Sequence, residues 1–295
     1  MKILAIKPNE RNTHTVDGTK WDVYSFSSVL AVKTYLDTHP TSNDYYQGAN
    51  AKQVGNLKWA SGETGYKTPQ AMAQAIQERV RTGDVETVKK IKAIASKAKL
   101  GISKRQIDTS QRANIHKALT GRVHVPSFLA GNDKHCVRIR PAKRVAKTVT
   151  LCVHTSCGGG VKGNDLLQYG VGVLAAIESA TRAGLRINVD VVCQSYRPRT
   201  NNRFLARTRV QQADKPASLS ALAFALTPGY FRVLMFGLIE RTPGHCTLDY
   251  DDKRSRLAGL YKPSTTPIHI APDFSACVNA VDHYKHVTNL IQEKS

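Results

Sequence analysis

Five arginines in a short stretch of the chain are the residues best suited to hold a ligand. A guanidinium group grips a phosphate through two parallel hydrogen bonds, and nearby aromatic rings stack on unpaired bases. The stretch contains two such rings, and no acid lies between Asp190 and Asp214. Its members are Tyr196, Arg197, Arg199, Arg203, Phe204, Arg207 and Arg209. This pattern predicts a site for single-stranded nucleic acid.

The arginine run directly follows a predicted strand, Ile187 to Cys193. We therefore expect it to leave the carboxyl edge of a sheet as a mobile loop, which is where open α/β sheets bind ligands. The plainer alternative is a solvated surface loop whose aromatic rings pack inward. Five arginines without a neighbouring acid favour a loop that binds a ligand over a surface loop that binds none.

A second basic tract lies in the first half of the chain. The whole chain has 43 Lys and Arg against 22 Asp and Glu, a net charge of +21. Sixteen of these cations and only two acids lie between Lys89 and Lys147. Such clustering costs self-repulsion unless a polyanion relieves it, and nucleic acid is the commonest one. The predicted contact residues of this tract are Lys89, Lys90, Lys104, Arg105, Lys143 and Arg144.

A glycine-rich turn adds one more candidate contact, Lys162. Gly158, Gly159 and Gly160 follow a predicted strand and precede a predicted helix. The segment is not a nucleotide-binding P-loop, because no Ser or Thr follows Lys162 and the glycine spacing differs. Backbone N–H groups of such a turn, together with Lys162, suit a DNA phosphate. Glycines that serve only a tight turn remain the alternative.

No residue pattern indicates catalysis, a cofactor or a metal. The cysteines and histidines lack the spacing of zinc ligands. The one carboxylate cluster is Asp249, Asp251 and Asp252. Lys253, Arg254 and Arg256 follow it at once, which is typical of an exposed charged loop. We therefore expect a protein that is not an enzyme.

Bulk composition limits the class of protein. The apolar content of 41% allows a substantial core in 295 residues. No apolar run approaches the roughly 20 residues that cross a bilayer, and the first apolar segment is too short for a signal peptide. The six cysteines show no disulfide-framework spacing. We expect a cytoplasmic protein without a membrane partner.

Residues 1–147 are predicted to form a basic, mainly helical region. Thr68 and Pro69 have the types preferred at a helix start, and Met72, Ile76 and Val80 then recur every fourth residue. A second helix is expected after the Gly83-Asp84 break. A third is expected over Lys104 to Leu119, followed by a linker or basic loop from Thr120 to Lys147.

Residues 148–295 alternate between predicted strands and helices. Such alternation predicts an α/β domain with an open parallel sheet flanked by helices. The expected strands are Thr148 to His154, Ile187 to Cys193, Phe231 to Ile239 and Ile268 to Ile270. The expected helices are Asp165 to Ala183, Ser218 to Leu226 and a last one beginning near Asp273.

The start of this second half resembles a von Willebrand factor A domain. The resemblance is carried by Val-Thr-Leu-Cys-Val-His154-Thr-Ser156-Cys-Gly158-Gly-Gly, by Tyr169-Gly-Val-Gly and by Gly184-Leu-Arg-Ile-Asn-Val. That family ends its first strand in Asp-x-Ser-x-Ser, which helps to hold a divalent ion. Here His154 and Gly158 replace the first and last of these residues, and only Ser156 matches. Without the carboxylate the main oxygen ligand is missing, so the resemblance implies the fold without the metal.

The stretch from Ser218 to Phe236 is similar to phage-encoded members of that fold. Together with the basic charge, it makes the chain resemble the single-stranded-DNA-binding cofactors that recruit a phage RNA polymerase to middle promoters. The resemblance implies single-stranded DNA and a phage polymerase as partners, in the cytoplasm of an infected host cell. Two alternatives stay open, namely RNA binding and a protein-interaction module that uses a metal at Ser156.

Overall fold

The protein has a mixed α/β architecture. The computed structural model describes residues 10–16, 18–41, 46–47, 68–98, 114–118, 122–123, 129, 136–140, 148–156, 161–182, 185–197, 202–213, 219–242 and 267–294. Within these residues the strands form two separate sheets, and helices flank the larger one. The predicted α/β class is therefore confirmed.

The strands differ from the predicted ones mainly in number. In chain order they are β1 (Glu10–Val16), β2 (Thr19–Phe26), β3 (Asn114–Ala118), β4 (Arg122–Val123), β5 (Cys136–Arg140), β6 (Thr148–His154), β7 (Arg186–Arg197), β8 (Asn202–Gln211) and β9 (Ile268–Ile270). The larger sheet has the order β1-β2-β8-β7-β6-β9, and the smaller one has the order β3-β5-β4.

The larger sheet is mostly parallel, so the predicted open parallel sheet is confirmed in part, but two of its strand pairs are antiparallel. Strand β6 runs parallel to β7 and β9, whereas β7 and β8 form an antiparallel hairpin. Strand β2 then pairs in parallel with β8, from Lys20 opposite Asn202 to Phe26 opposite Thr208. Because β1 and β2 come from the first half of the chain, this sheet continues across the boundary predicted between residues 147 and 148.

The helices begin at residues of the expected types, except that the last one begins at Ala280 and not after Asp273. They are α1 (Val29–Thr38), α2 (Pro69–Thr82), α3 (Val85–Lys97), α4 (Gly163–Arg182), α5 (Leu219–Ala225), α6 (Phe236–Glu240) and α7 (Ala280–Lys294). Thr68 caps α2 by accepting a hydrogen bond from the Ala71 N–H, and Asp84 caps α3 by accepting one from Thr87. Gly83 ends α2 with a φ of 82°, a conformation that favours glycine.

The predicted strand from Phe231 to Ile239 is wrong. A π-helical segment occupies Tyr230–Met235 and continues directly into α6. Nearly every side chain of this stretch is buried, so its helix is apolar on all sides and shows no periodicity. A short continuous apolar run fits a buried strand and a buried helix equally well, which explains the error.

The region predicted as a helix and a linker contains the smaller sheet. Asn114–Ala118, expected within the Lys104 to Leu119 helix, is strand β3. Strands β4 and β5 fall in the expected linker, and both pair antiparallel in this sheet. Pairing between distant segments stabilises these strands, and such pairing leaves only weak traces in local sequence. The remaining residues of 104–147 lie outside the described residues, apart from Leu129.

The two faces of the larger sheet differ in character. One face, which we call the helical face, carries Tyr24, Leu151, Val191, Phe204 and Ile270, and these share one apolar core with the helices. Successive side chains of a strand point to opposite faces. The other face, which we call the polar face, therefore carries the residues that alternate with those core positions. They include Trp21, His154, Asp190, Arg203, Arg207, Arg209 and His269.

Helices α4 and α7 pack with their backbones in close approach. A Cβ atom at Gly172 would lie 2.5 Å from the His283 Cβ and 2.8 Å from the Ala280 carbonyl oxygen, so only glycine fits there. The His283 ring is 1% exposed and lies edge-on to the rings of Tyr169 and Phe274. This interface therefore encloses an ionisable ring among aromatic side chains.

Burial of His283 should make the stability of the protein sensitive to mild acid. Burial and, to a smaller extent, the neighbouring His286 lower the pKa of His283 from 6.5 to about 4, against the opposite effect of Asp282, Asp273 and Asp165. The unfolded chain takes up this proton first, so the stabilisation is complete above the unfolded pKa. It is lost as the pH falls from 6.5 towards 4. Between about pH 7 and pH 5 the loss should be about 2 kcal/mol.

Urea unfolding of the parent and of His283→Gln at both pH values tests this expectation. The variant cannot take up the proton, so its free energy of unfolding should fall by about 2 kcal/mol less than that of the parent over this interval. An equal fall in both proteins would mean that His283 does not titrate in this range.

Candidate nucleic-acid interface

The arginine run forms part of the β7–β8 hairpin, and its prediction as a mobile loop is wrong. Tyr196 and Arg197 end β7, and Arg203, Arg207 and Arg209 lie along β8 in the interior of the sheet. Arg197 pairs with Asn202 across the hairpin. Arg199 lies outside the described residues, as do Lys104, Arg105, Lys143 and Arg144.

Two of the arginines neutralise a buried acid. Asp190 on β7 is 0% exposed and lies opposite Arg209 in the strand register. The Arg207 Nε atom is 2.7 Å from Asp190 Oδ2, and Arg209 donates from Nε to Oδ1 and from Nη2 to Oδ2 at 3.1 Å. The side chains of Arg207 and Arg209 are only 12% and 22% exposed. These guanidinium groups therefore neutralise a carboxylate inside the protein and are not presented to a ligand.

Two further members of the run, Phe204 and Arg203, are also buried. Phe204 is 0% exposed, and its ring lies 5.6 Å from that of Tyr24 in the core. Arg203 is 8% exposed, and its guanidinium carbon lies 5.5 Å from the centre of the Trp21 ring. Such a contact is a cation–π interaction. The predicted stacking of Phe204 on a base does not fit this placement.

Asp190 lies outside the arginine run in sequence but next to it in space, and this explains why the predicted ligand-binding arginines are instead paired within the protein. Asp190 precedes Arg207 by seventeen residues, and the hairpin brings the two side chains together. Sequence did contain an indication of this: Arg203, Arg207 and Arg209 occupy odd positions while Phe204, Ala206 and Thr208 occupy even ones. Alternation of this kind is typical of a strand with two different faces.

Lys162 lies between the carboxyl end of β6 and the start of α4. Strands β6 and β7 are parallel, so the segment after His154 and the end of β7 at Arg197 lie at the same edge. Lys162 is exposed, and its backbone N–H donates to Asp165 Oδ2 at 3.2 Å at the start of α4. The glycines Gly158 to Gly160 lie outside the described residues. Lys162 is thus accessible at the edge where α/β sheets bind ligands.

The polar residues at the end of β6 make contacts within the protein. The Ser156 Oγ accepts a hydrogen bond from the Gln194 N–H at 2.7 Å, and both residues are buried. The His154 Nε2 and His269 Nδ1 atoms are 3.1 Å apart, so one ring donates a hydrogen bond to the other. Over the described ranges, no three histidine, cysteine or acidic residues are arranged to hold a metal ion.

Helix α3 presents its lysines outward. Ile91 and Ala95 are 1% exposed, and their side of the helix packs against α4 and α5. Lys89, Lys90 and Lys97 are exposed on the other side. A helix anchored along one side in this way holds its three charges at fixed positions. This surface, which we call the lysine face, is the part of the predicted site that the structure leaves accessible together with Lys162.

None of the helices in the described part of the chain is both long and apolar enough to cross a membrane.

Comparison with known proteins identifies a family but no characterised relative. No curated protein matches the chain, and no solved structure matches it. A family model with the description "Domain of unknown function (DUF7192)" matches residues 17–280. That range extends from just before β2 to the start of α7, and it includes the smaller sheet, the larger sheet except for β1, and the lysine face. The chain therefore belongs to the family described as DUF7192, a domain of unknown function.

Proposed function

We propose that this protein binds single-stranded nucleic acid, with DNA as the favoured form, and that it has no catalytic activity. The observation that carries the proposal is the exposed lysine face of α3, in a chain with a net charge of +21. Neutralisation of phosphates by such charges releases bound counterions, which drives binding. The arginines of β8 contribute mainly to the fold, because Asp190 holds two of them.

The preference for single strands rests on the absence of a duplex-reading motif from the sequence, which has no zinc-finger spacing and no predicted helix-turn-helix. Lysines on a helix recognise a phosphate backbone by charge, without reading bases. We therefore expect weak sequence preference and a strong dependence on salt. RNA with the same sequence is the alternative ligand.

Resemblance to the phage polymerase cofactors extends the proposal to transcription. On this interpretation the second half is a von Willebrand A-like domain without its metal, and the protein recruits a phage RNA polymerase to promoter DNA. The internal hydrogen bonds of His154 and Ser156 agree with a structural role for these positions. Transcription from a single-stranded promoter template by such a polymerase, with and without the protein, tests this part.

Fluorescence anisotropy with labelled oligonucleotides tests the binding itself. Single-stranded DNA, the corresponding duplex and single-stranded RNA should be titrated with the protein over a series of salt concentrations. We expect tightest binding to single-stranded DNA and a linear fall of the logarithm of the association constant with the logarithm of the salt concentration. Absent binding, or equal binding to single strands and duplex at moderate salt, would contradict the proposal. The labelled oligonucleotide should also stay intact in the presence of Mg²⁺ or Mn²⁺.

A further inference from the structure

Three helices are joined by a single residue at the start of α3. The Asp84 carboxylate caps α3 by accepting hydrogen bonds from the Thr87 N–H at 2.8 Å and from Thr87 Oγ1 at 2.6 Å. It also accepts one from Arg79 Nη1 of α2 at 3.1 Å. The Asp84 backbone N–H donates to Ser220 Oγ of α5 at 2.9 Å. The start of α3 is therefore tied both to the helix before it and to a helix 136 positions later in the chain.

The turn between α2 and α3 also lies so close to α5 that it has no room for a side chain at Gly83. A Cβ atom placed there would lie 2.5 Å from Ser220 Oγ and 3.5 Å from Ser220 Cβ. A real Cβ atom does not approach another atom to 2.5 Å, whereas 3.5 Å is an ordinary van der Waals contact. The Ser220 hydroxyl thus accepts a hydrogen bond from one residue of the turn and packs directly against the backbone of the other.

Helix α5 provides a rigid base for this contact. Residues 222–225 of α5 are at most 2% exposed and belong to the apolar core, and the helix packs against β8 of the larger sheet. Asp84 is itself 1% exposed, so little water reaches its hydrogen bonds. The contact of Gly83 and Asp84 with Ser220, which we call the turn anchor, therefore connects the beginning of α3 to the core.

The turn anchor lies near the lysine face on the same helix. Lys89 and Lys90 follow Asp84 by about one and a half turns of helix, or roughly 8 Å along its axis. Ile91 and Ala95 hold the buried side of α3 against α4 and α5, but apolar packing is non-directional. A hydrogen bond and a close backbone approach at one end fix the rotation of the helix and its position along its axis. The turn anchor therefore determines where the lysines point.

We infer that Gly83, Asp84 and Ser220 are positioning residues for nucleic-acid binding, because the turn anchor holds the lysines of α3 in the arrangement that one strand contacts. This inference rests on the proposed function and identifies what organises its site. Charges that are already ordered need not be ordered by the ligand, which raises the affinity without any added contact. The lysines make the contacts, and the turn anchor sets their arrangement.

The variant Gly83→Ala tests the inference, because its methyl group forces the turn away from Ser220 Oγ. Binding of labelled single-stranded DNA is measured by anisotropy over a salt series. All three lysines remain, so the salt slope should equal that of the parent. The affinity should fall, because only molecules with α3 in its original position bind at full strength. If about a tenth of the molecules hold that position, the apparent affinity falls about tenfold.

A second substitution should restore most of the binding. In Gly83→Ala with Ser220→Ala the clashing oxygen is absent, and the new methyl group meets only the Cβ atom of residue 220, at 3.5 Å. Helix α3 can then return to its position, so the affinity should rise above that of Gly83→Ala alone. The double variant keeps the alanine at a positive φ and has lost the hydrogen bond from Asp84, so it stays less stable than the parent. A merely structural role would not restore binding in a protein that remains destabilised.

The matched control is Gly18→Ala, in the turn between β1 and β2. Gly18 has a φ of 72°, close to that of Gly83, but a Cβ atom there meets nothing within 4 Å. The substitution therefore adds the same kind of backbone strain without displacing α3. Its affinity and its salt slope should both equal those of the parent. Far-UV circular dichroism establishes that each variant is folded.

Three results would overturn the inference and leave the proposed function intact, since each requires a parent that binds. They are a Gly83→Ala variant that binds like the parent, a Gly18→Ala variant that loses as much affinity, and a double variant that stays as weak as Gly83→Ala. If Gly83→Ala does not fold, Ser220→Ala alone decides. It removes the acceptor of the Asp84 N–H, so it should weaken binding several-fold at an unchanged slope, and parent-like affinity would contradict the inference. A parent that does not bind single-stranded DNA overturns the proposed function instead.

Discussion

Asp190→Asn is expected to lower the free energy of unfolding by about 3–5 kcal/mol, the range seen when one partner of a buried ion pair is removed. The substitution keeps the shape of the side chain and removes its charge. Arg207 and Arg209 would then keep two mostly buried guanidinium groups without the carboxylate that both contact. Urea unfolding at neutral pH measures the effect.

An exposed ion pair provides the control for this substitution. Arg81 and Glu78 on α2 lie 3.6 Å apart with side chains 67% and 58% exposed. Glu78→Gln should therefore cost less than about 0.5 kcal/mol. If Asp190→Asn costs no more than this control, the two arginines have water or other groups to satisfy them and Asp190 does not organise the hairpin.

Replacing all three charges together gives an independent check. The variant Asp190→Asn with Arg207→Met and Arg209→Met leaves no buried charge on this part of the polar face. Apolar replacement of a complete buried ionic group is often neutral or stabilising. We therefore expect the triple variant to be more stable than Asp190→Asn alone. A further loss of stability in the triple variant would show that the arginines stabilise the hairpin through contacts other than Asp190.

The contribution of these arginines to the stability of the fold also affects how binding data for their variants should be interpreted. Sequence alone assigned Arg203 and Arg207 to a ligand, so their replacement would be expected to affect binding directly. In the structure the buried Arg203 lies against Trp21, and the mostly buried Arg207 lies against Asp190. A loss of binding in such variants is therefore informative only when their stability is measured alongside.

Local patterns predicted the elements whose cause is local. Thr68, Pro69 and the Gly83-Asp84 break bound α2 as expected, because caps and proline act through adjacent backbone groups. The short strand Ile268–Ile270 also lies where it was predicted. The apolar run beginning at Tyr230 failed as a guide, because burial on all sides removes the periodicity that separates helix from strand.

Features that depend on distant pairing could not be predicted in the same way. The pairing of β2 with β8 joins residues about 180 positions apart, and the local sequence of one strand does not indicate that it pairs with the other. The same holds for the match of Asp190 with two arginines of the next strand. Counting acids within the arginine run showed none, although the neutralising acid lies one strand away. Charge along the sequence is thus a poor guide to charge in space wherever a hairpin intervenes.

Replacing Lys89, Lys90 and Lys97 together by glutamine should produce the largest loss of nucleic-acid binding. All three are exposed on the lysine face, away from the buried Ile91 and Ala95, so stability should change by less than about 0.5 kcal/mol. Loss of three phosphate contacts lowers the salt slope by about 2.1, which is about 100-fold in affinity at about 0.1 M salt. Anisotropy with labelled single-stranded DNA measures both quantities.

The control for the lysine face removes the same charge from three other helices. Lys33, Arg81 and Lys285 lie on α1, α2 and α7, and their joint replacement by glutamine also lowers the net charge by three. If net charge alone drives binding, both triple variants should weaken it equally. If the lysine face is a contact surface, the control should keep most of the affinity and nearly all of the slope. The slope decides the matter, because it counts phosphates contacted directly, whereas long-range attraction acts on the association rate and fades at moderate salt.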